Sequence, residues 1–493
     1  MSGDPPARPP AMERTELAPG CTIPRIVTGL WQVADMERGR PPLDPAAGAA
    51  AMAAYVADGF DAFDMADHYG SAEVITGQAL SQGLRLAAFT KWCPEPGPMT
   101  AEVVRAAVDR ARERMRTRRI DLMQLHWWSF DHPQYIDAMA QLARLRQEGL
   151  VAHLGLTNFD TAHLNLLLSH GIPVATNQVC LSLLDRRALG EMSRLCLARG
   201  VKLLAYGTLA GGFLSERWLD QPEPEAIGDW SKMKYRRFIE AVGGWDALQG
   251  VLRAAHAVAL RHGVSIANVA TRWVLDQPAV AAVIVGARLG ESEHRAGNAR
   301  VFSFRLDARD HALLERAFAA TRAIPGDCGD EYRKPPFLTA SGDLSHHLES
   351  LPQVYRAQPV PGRAGRLRVD SGSVWEPLAG YSRAVRDGRR ILVSGTTATH
   401  GASTVIAPQD AGAQATYILD KISASLRALG AGPQDVVRTR VYLTDANEWE
   451  AVARAHGRFF GEVRPANTML QVGALIGPGY RVEIEAEALL PRA

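Results

Sequence analysis

Four side chains with acid–base character stand at the ends of successive apolar runs in this chain. Asp64 closes the run Phe60 to Phe63, and Tyr69 follows across the polar turn Asp67-His68. Lys91 ends the run from Arg85, and His126 ends the run from Ile120. A carboxylate, a phenol, an ammonium and an imidazole are the groups of general acid–base chemistry. Asn158, Gln178 and Tyr206 end three later runs, and Gly286-Ala287-Arg288 ends a fourth. One such residue alone would read as a cap or a solvated tip. The same placement at successive runs is not explained by solvation.

The runs behave as strands because helical patterns separate them. Strands are expected at 26–33, 60–63, 85–91, 120–126, 151–158, 174–178, 202–207 and 280–286. Helices are expected between them, for example at 72–80, where Ser71 precedes Glu73 as an N-terminal signal. Strand and helix alternating eight times predict an α/β fold, a (β/α)8 TIM barrel, with a doubly wound sheet as the runner-up. No strand is followed by G-x-G-x-x-G, which counts against that runner-up. A barrel gathers its strand ends on one rim, so residues far apart in sequence meet there. The insertion from Gly211 to Gly244, with Trp218 and Trp230, is expected to shape a pocket or a lid.

Length and composition bound the rest. A chain of 493 residues exceeds one compact core. The divisions read as a disordered Pro-rich leader (1–20), the barrel (21–323), a Pro/Gly/Asp-rich linker (324–367) and an α+β domain (368–493). Net charge is +2, which gives no electrostatic case for nucleic acid. No apolar run reaches the ~20 residues that span a bilayer, so no membrane is expected. Five scattered cysteines without a C-x-x-C pair suit a reducing cytoplasm and argue against a metal cluster.

As a set, D-x-A-D-x-Y-G at 64–70, Thr90-Lys91, L-x-x-L-H at 122–126, Thr157-Asn158, Asn177-Gln178 and Tyr206-Gly207 resemble the aldo-keto reductase family over about Arg25 to Ala319. The resemblance implies that Tyr69 is a proton donor, that Asp64 and Lys91 tune it, and that His126 orients the substrate. It implies a nicotinamide held by Asn158 and Gln178 over Tyr206, with Trp31, Gly207 and Leu209 beside it. Gly286, Arg288 and Asn298 match the family's adenosine-phosphate site, and Arg288 suits a 2′-phosphate, so NADPH is the expected cofactor. Elementary chemistry agrees. Hydride addition to a carbonyl leaves an alkoxide that needs a proton, and an ammonium beside a phenol eases its release. The expected substrate is a small aldehyde or ketone. Met65 departs from the family's usual Thr, and Trp127-Trp128 after His126 either wall the pocket or pack in the core.

Gly380-Tyr-Ser-Arg-Ala-Val385, Ile391-Leu-Val-Ser-Gly395, Val441-Tyr-Leu-Thr-Asp445, Arg464-Pro-Ala466 and Val482-Glu-Ile-Glu-Ala486 resemble the Rid/YjgF imine and enamine deaminases over about Ser371 to Pro491. The resemblance implies a chorismate-mutase-like fold, a homotrimer, and a site that includes Tyr381 and Glu485. Asn467 stands where active deaminases carry the carboxylate-gripping Arg. The domain therefore either takes a neutral substrate or serves as a trimerising module. The rival to a reductase is a nicotinamide-binding, redox-sensing subunit with little turnover, the second domain serving as its scaffold.

Overall fold

Period-two alternation along short parallel strands builds the inner barrel. The strands are β1 (Ile26–Gly29), β2 (Ala62–Asp64), β3 (Ala87–Trp92), β4 (Ile120–His126), β5 (Val151–Thr157), β6 (Val174–Cys180), β7 (Lys202–Tyr206) and β8 (Val280–Gly286). They pair in chain order and close, β8 beside β1, into a barrel of parallel strands. This computed structural model describes residues 11–33, 42–227, 230–292, 294–334 and 351–492. Val27, Ala62, Phe89, Leu122, Leu204 and Ala282 form one apolar cluster inside the barrel. Side chains alternate between the two faces of a strand. Asp64, Lys91, Gln124 and Tyr206, each two residues beyond a member of that cluster, therefore point inward as well, one tier nearer the mouth.

The opposite end is closed by a hairpin, Arg14–Ala18 paired with Cys21–Pro24, whose Leu17 and Ile23 join the interior cluster. Residues 11–20 of the expected leader are placed, with Arg14–Ala18 as strand. Residues 1–10 lie outside the described residues. The outward faces of the strands pack on surrounding helices. Local signals fix the helix starts. Asp44 accepts from Ala47 N–H ahead of Pro45–Ala57, and Thr100 accepts from Val103 N–H ahead of Ala101–Arg114. Ser71 makes no side-chain cap bond to Ala72–Ser81, so that signal located the helix without forming the expected contact. In the insertion, Trp218 packs on Phe213 and Trp245, and Trp230–Val242 is a helix. The Trp230 side chain lies outside the described residues.

The segment expected as linker is ordered in part. Residues 324–334 fold back onto the barrel, with Glu331 and Tyr332 buried. Residues 335–350 lie outside the described residues. Strands 358–359 and 366–369 already belong to the second sheet, whose order runs through 384–387, 390–397, 482–489, 436–443 and 466–471. Helices Ala411–Ala428 and Trp449–Phe460 cover one face of this sheet. The other face carries Leu392, Leu470 and Leu489, all exposed.

The helix layer of the second domain meets the barrel. His163 Nε2 lies 2.8 Å from Asp420 Oδ2, and Asn165 and Ser169 each donate to Asp410 Oδ2 at 2.8 Å. Arg427 pairs with Asp131 (2.6 Å) and His400 with Asp137 (3.0 Å). Among the described residues no helix is long and apolar enough to cross a membrane.

Helix Ala72–Ser81 crosses the end of Ala101–Arg114 where Gly77 leaves no room. A Cβ there would lie 2.2 Å from the Arg114 carbonyl oxygen. Backbone cannot yield as a flexible side chain can. Gly77→Ala is expected to destabilise the barrel by about 1–3 kcal/mol, read as a lower midpoint in urea unfolding.

Candidate active site at the barrel mouth

Three donors converge on the buried Asp64 carboxylate. Lys91 Nζ donates to Oδ2 at 2.5 Å, while Gln124 and Gln178 donate to Oδ1 at 2.9 and 2.8 Å. Lys91 also donates to the Met65 carbonyl at 2.8 Å. A buried ion pair persists only when its remaining hydrogen-bonding capacity is met, and here neighbouring strands meet it. Lys91 Nζ lies 5.0 Å from the centre of the Tyr69 ring. Trp31 packs edge-on against that ring at 5.0 Å. Asp67 fixes the loop by accepting from the Cys93 N–H at 3.2 Å.

His126 is buried at the end of β4. Its Nε2 lies 3.5 Å from Asn158 Nδ2 and its Nδ1 3.8 Å from Cys93 Sγ. Burial, then the charges of Arg333, His68, Lys91 and Lys234, hold its pKa well below the ordinary value of 6.5. The imidazole is therefore neutral, with one N–H to donate. Asn158 has a positive φ of 56° and accepts from the Tyr206 hydroxyl at 2.8 Å. Burial, first of all, raises the Tyr206 phenol well above its usual range.

These side chains line one cavity of about 370 Å³. It runs from Asp64, Tyr69, Lys91 and His126 past Trp31, Asn158, Gln178, Tyr206, Gly207 and Leu209 to Gly286 and Arg288. Asn298 is not among its lining residues and sits in the short helix Arg295–Ala299 beyond it. Met65 faces Thr76, whose hydroxyl lies 3.3 Å from its sulfur, so this departure fills core. Trp127 is core, its indole N–H shared by the Ser129 and His132 carbonyls. Trp128 packs at a tilt on His126, centroids 4.2 Å apart, and is buried behind the residues that line the cavity.

Several contributors gave no readable signal. Lys234, from the insertion, lies 4.8 Å from the centre of the Tyr206 ring and donates to the Tyr332 hydroxyl. Tyr332 sits edge-on to His126 at 5.4 Å. Glu331 stays anionic: burial opposes this, but Arg187, 2.9 Å away, outweighs it. Gln124 was detectable, since it lies two residues before His126 on the same face of β4.

A dinucleotide fits the donor set. The amides of Asn158 and Gln178 and the guanidinium of Arg288 all line the one cavity. The Thr157 hydroxyl, also lining it, is buried with no partner among the described residues.

In the second domain, Tyr381 accepts from the buried Arg383 at 2.9 Å. Glu485 accepts from Arg440 (3.1 Å) and Tyr442 (2.5 Å) on the open sheet face. Asn467 donates to Thr439, whose hydroxyl also lies 2.9 Å from His456 of the covering helix. Asn467 and Glu485 thus lie on opposite faces of the sheet, and the structure does not bring them together.

The sequence profile described as the aldo/keto reductase family matches residues 25–318, and that described as endoribonuclease L-PSP matches residues 373–490. Flagellar radial spoke protein 5 of Chlamydomonas reinhardtii is 29% identical over 38% of this chain and 41% of its own length. The chain thus spans under half of that relative. An uncharacterized protein of Streptomyces coelicolor is 38% identical over 24% of this chain and 90% of its own. The solved glycerol dehydrogenase of Gluconobacter oxydans superposes with a TM-score of 0.53 at 23% identity, covering 64% of this chain and 96% of its own. That likeness is one of fold.

Lys91→Met would leave Asp64 as a buried charge without its cation. The expected loss is about 3–5 kcal/mol of stability, measured by urea unfolding. Joining it with Asp64→Asn should recover part of that loss.

Proposed function

This chain belongs to the aldo/keto reductase family, and we propose that its barrel is an NADPH-dependent oxidoreductase that reduces an aldehyde or ketone. The observation that carries the reading is the Asp64–Lys91 ion pair set against the Tyr69 ring, at the end of a cavity that continues to Arg288. A bound nicotinamide supplies hydride, and the remaining work falls to residues of this chain.

Tyr69 gives its hydroxyl proton to the oxygen of the reduced carbonyl. Lys91 stands beside the ring and stabilises the phenolate that remains. Asp64, held by two amides as well, keeps Lys91 oriented and charged. His126, neutral, donates a hydrogen bond to the carbonyl oxygen and fixes its position. Asn158 and Gln178 would hold the cofactor's carboxamide, with Tyr206 beneath its ring. Gln178 gives its amide N–H to Asp64 and Gln124, so its carbonyl oxygen is the group it would offer. Arg288 would take the 2′-phosphate.

For the C-terminal domain, separation of Asn467 from Glu485 favours assembly over deamination. Its uncovered sheet face with Leu392, Leu470 and Leu489 is the surface through which copies of the chain would join as a trimer. Sedimentation of the full chain tests this. A monomer at micromolar concentration would remove the trimer reading.

Tyr69→Phe is expected to lower kcat by about 10²–10⁴-fold with NADPH affinity retained. Arg288→Ala should weaken NADPH about tenfold or more and leave NADH unchanged. A wild-type protein that binds NADPH but oxidises it with no member of an aldehyde and ketone panel would favour the redox-sensing role instead.

The depressed pKa of His126 makes a pH prediction. Protonation of His126 would occur only well below 6.5. As pH falls from 8 to 6, kcat/KM should therefore show no acidic limb from this residue. A limb centred near 6.5 that disappears in His126→Gln would contradict it.

A further inference from the structure

The C-terminal domain touches the barrel beside the loops that carry the reaction site, and the contact can be followed inward atom by atom. Helix Thr161–Ser169 begins just after Asn158. Its His163 is buried, with Nδ1 2.7 Å from Asp160 and Nε2 2.8 Å from Asp420 of the other domain. Burial opposes a charge on this ring, but the two carboxylates outweigh it and raise the pKa to about 9. His163 is therefore an imidazolium at neutral pH. Phe130, on the loop after His126, lies flat on it, centroids 3.5 Å apart and planes 7° from parallel. The Arg333 guanidinium lies 4.3 Å from the centre of the same Phe130 ring. One face is taken by His163, so Arg333 occupies the other.

Arg333 then reaches the site itself. It donates to the carbonyl oxygens of Asn158 (2.5 Å) and Trp127. Asn158 is in the left-handed backbone region, which costs a non-glycine residue energy unless its surroundings impose it. The hydrogen bond from Arg333 to its carbonyl is one such constraint. Its side chain in turn touches His126 and Tyr206.

We infer that the C-terminal domain positions the barrel's reaction site, acting through Asp420, His163, Phe130 and Arg333. Asp420 holds the imidazolium from the far side. The imidazolium and the guanidinium clamp Phe130 between two cations, an arrangement in which each cation gains from the ring. The guanidinium fixes the backbone of Asn158 and of Trp127, the residue after His126. These are positioning residues, because none of the four is needed to touch substrate. The inference rests on the reductase reading for its kinetic arm alone.

The test compares Asp420→Ala with wild type in the full chain, first by hydrogen–deuterium exchange without cofactor or substrate. Amides at 157–160 and 329–334 are expected to exchange about tenfold faster or more. Asp420→Glu should return them toward wild type. Asp137→Asn, which breaks the separate contact to His400, should leave both segments unchanged. In turnover with NADPH and a reducible aldehyde, Asp420→Ala should lose about tenfold in kcat, with the Glu variant again recovering. Should Asp420→Ala fail to fold, Phe130→Leu carries the same comparison. Wild-type exchange in both segments of the folded variant would overturn the inference, as would equal disturbance by Asp137→Asn. A wild-type chain that reduces no carbonyl would refute the reductase reading and leave the exchange result to decide this one.

Discussion

A charge placed inside a barrel must be answered from several directions at once. Asp64 is buried and so is Lys91. Taking both from water is costly, and their mutual attraction offsets it only with good geometry and satisfied neighbours. The interior meets that demand by drawing on β2, β3, β4 and β6 for Asp64, Lys91, Gln124 and Gln178. Amides and charges form one closed network, with Gln178 also donating to Gln124 at 2.9 Å. The register of four strands is coupled to it, because a one-residue slip would turn a donor outward. Gly155 of β5 completes the fit, since a Cβ there would lie 2.4 Å from Thr176 Oγ1 and 2.9 Å from Gln124. The polar tier and the apolar tier beneath it are thus one packing problem.

That regularity decides what the sequence could disclose. Asp64, Lys91, His126, Gln178 and Tyr206 were legible because each closes an apolar run and a closed barrel brings run ends together. The cavity contains them, along with Gly286 and Arg288. The strands 120–126 and 280–286 were legible to the residue for the same reason, a clean apolar run bounded by turn residues. Periodicity says nothing about where an irregular segment returns in space. Gly326 to Arg333 read as linker because of its glycines and aspartates. Gly329 is in fact needed at close quarters, since a Cβ there would lie 2.0 Å from the Asn158 carbonyl oxygen. Lys234 was hidden for a related reason, lying on a helix inside an insertion whose docking no pattern announces. In the second domain, only pairing shows that Asn467 and Glu485 face opposite ways.

The two domains divide the second sheet between them. Its helix-covered side is committed to the barrel through Asp410, Asp420, Arg427 and His400. Its other side carries exposed leucines and, among the described residues, no covering helix. A domain docked by its helices keeps its sheet free, so attachment to the barrel and association with further copies do not compete for one surface. Carboxylates, imidazoles and amides pair across the contact, beside an apolar cluster that spans both domains. Such polar contacts fix orientation more than they add affinity, which suits a junction next to a site that depends on exact placement.

The charge pattern at the mouth explains why a neutral imidazole belongs there. Among the described residues lining the cavity, Lys91, Lys232, Lys234 and Arg288 are cationic, and Asp64 is the one carboxylate. Glu331 and Asp185, which balance Arg187, lie behind the wall rather than on it. Cations thus outnumber carboxylates along the cavity lining. Burial first, and then a positive field of this kind, disfavours a further proton on His126 and lowers its pKa. The same field favours negative charge developing on a carbonyl oxygen, and favours the phosphates of a dinucleotide. One arrangement of charge thus helps to keep His126 neutral and, on the proposed reduction, would stabilise a developing alkoxide and attract an anionic cofactor.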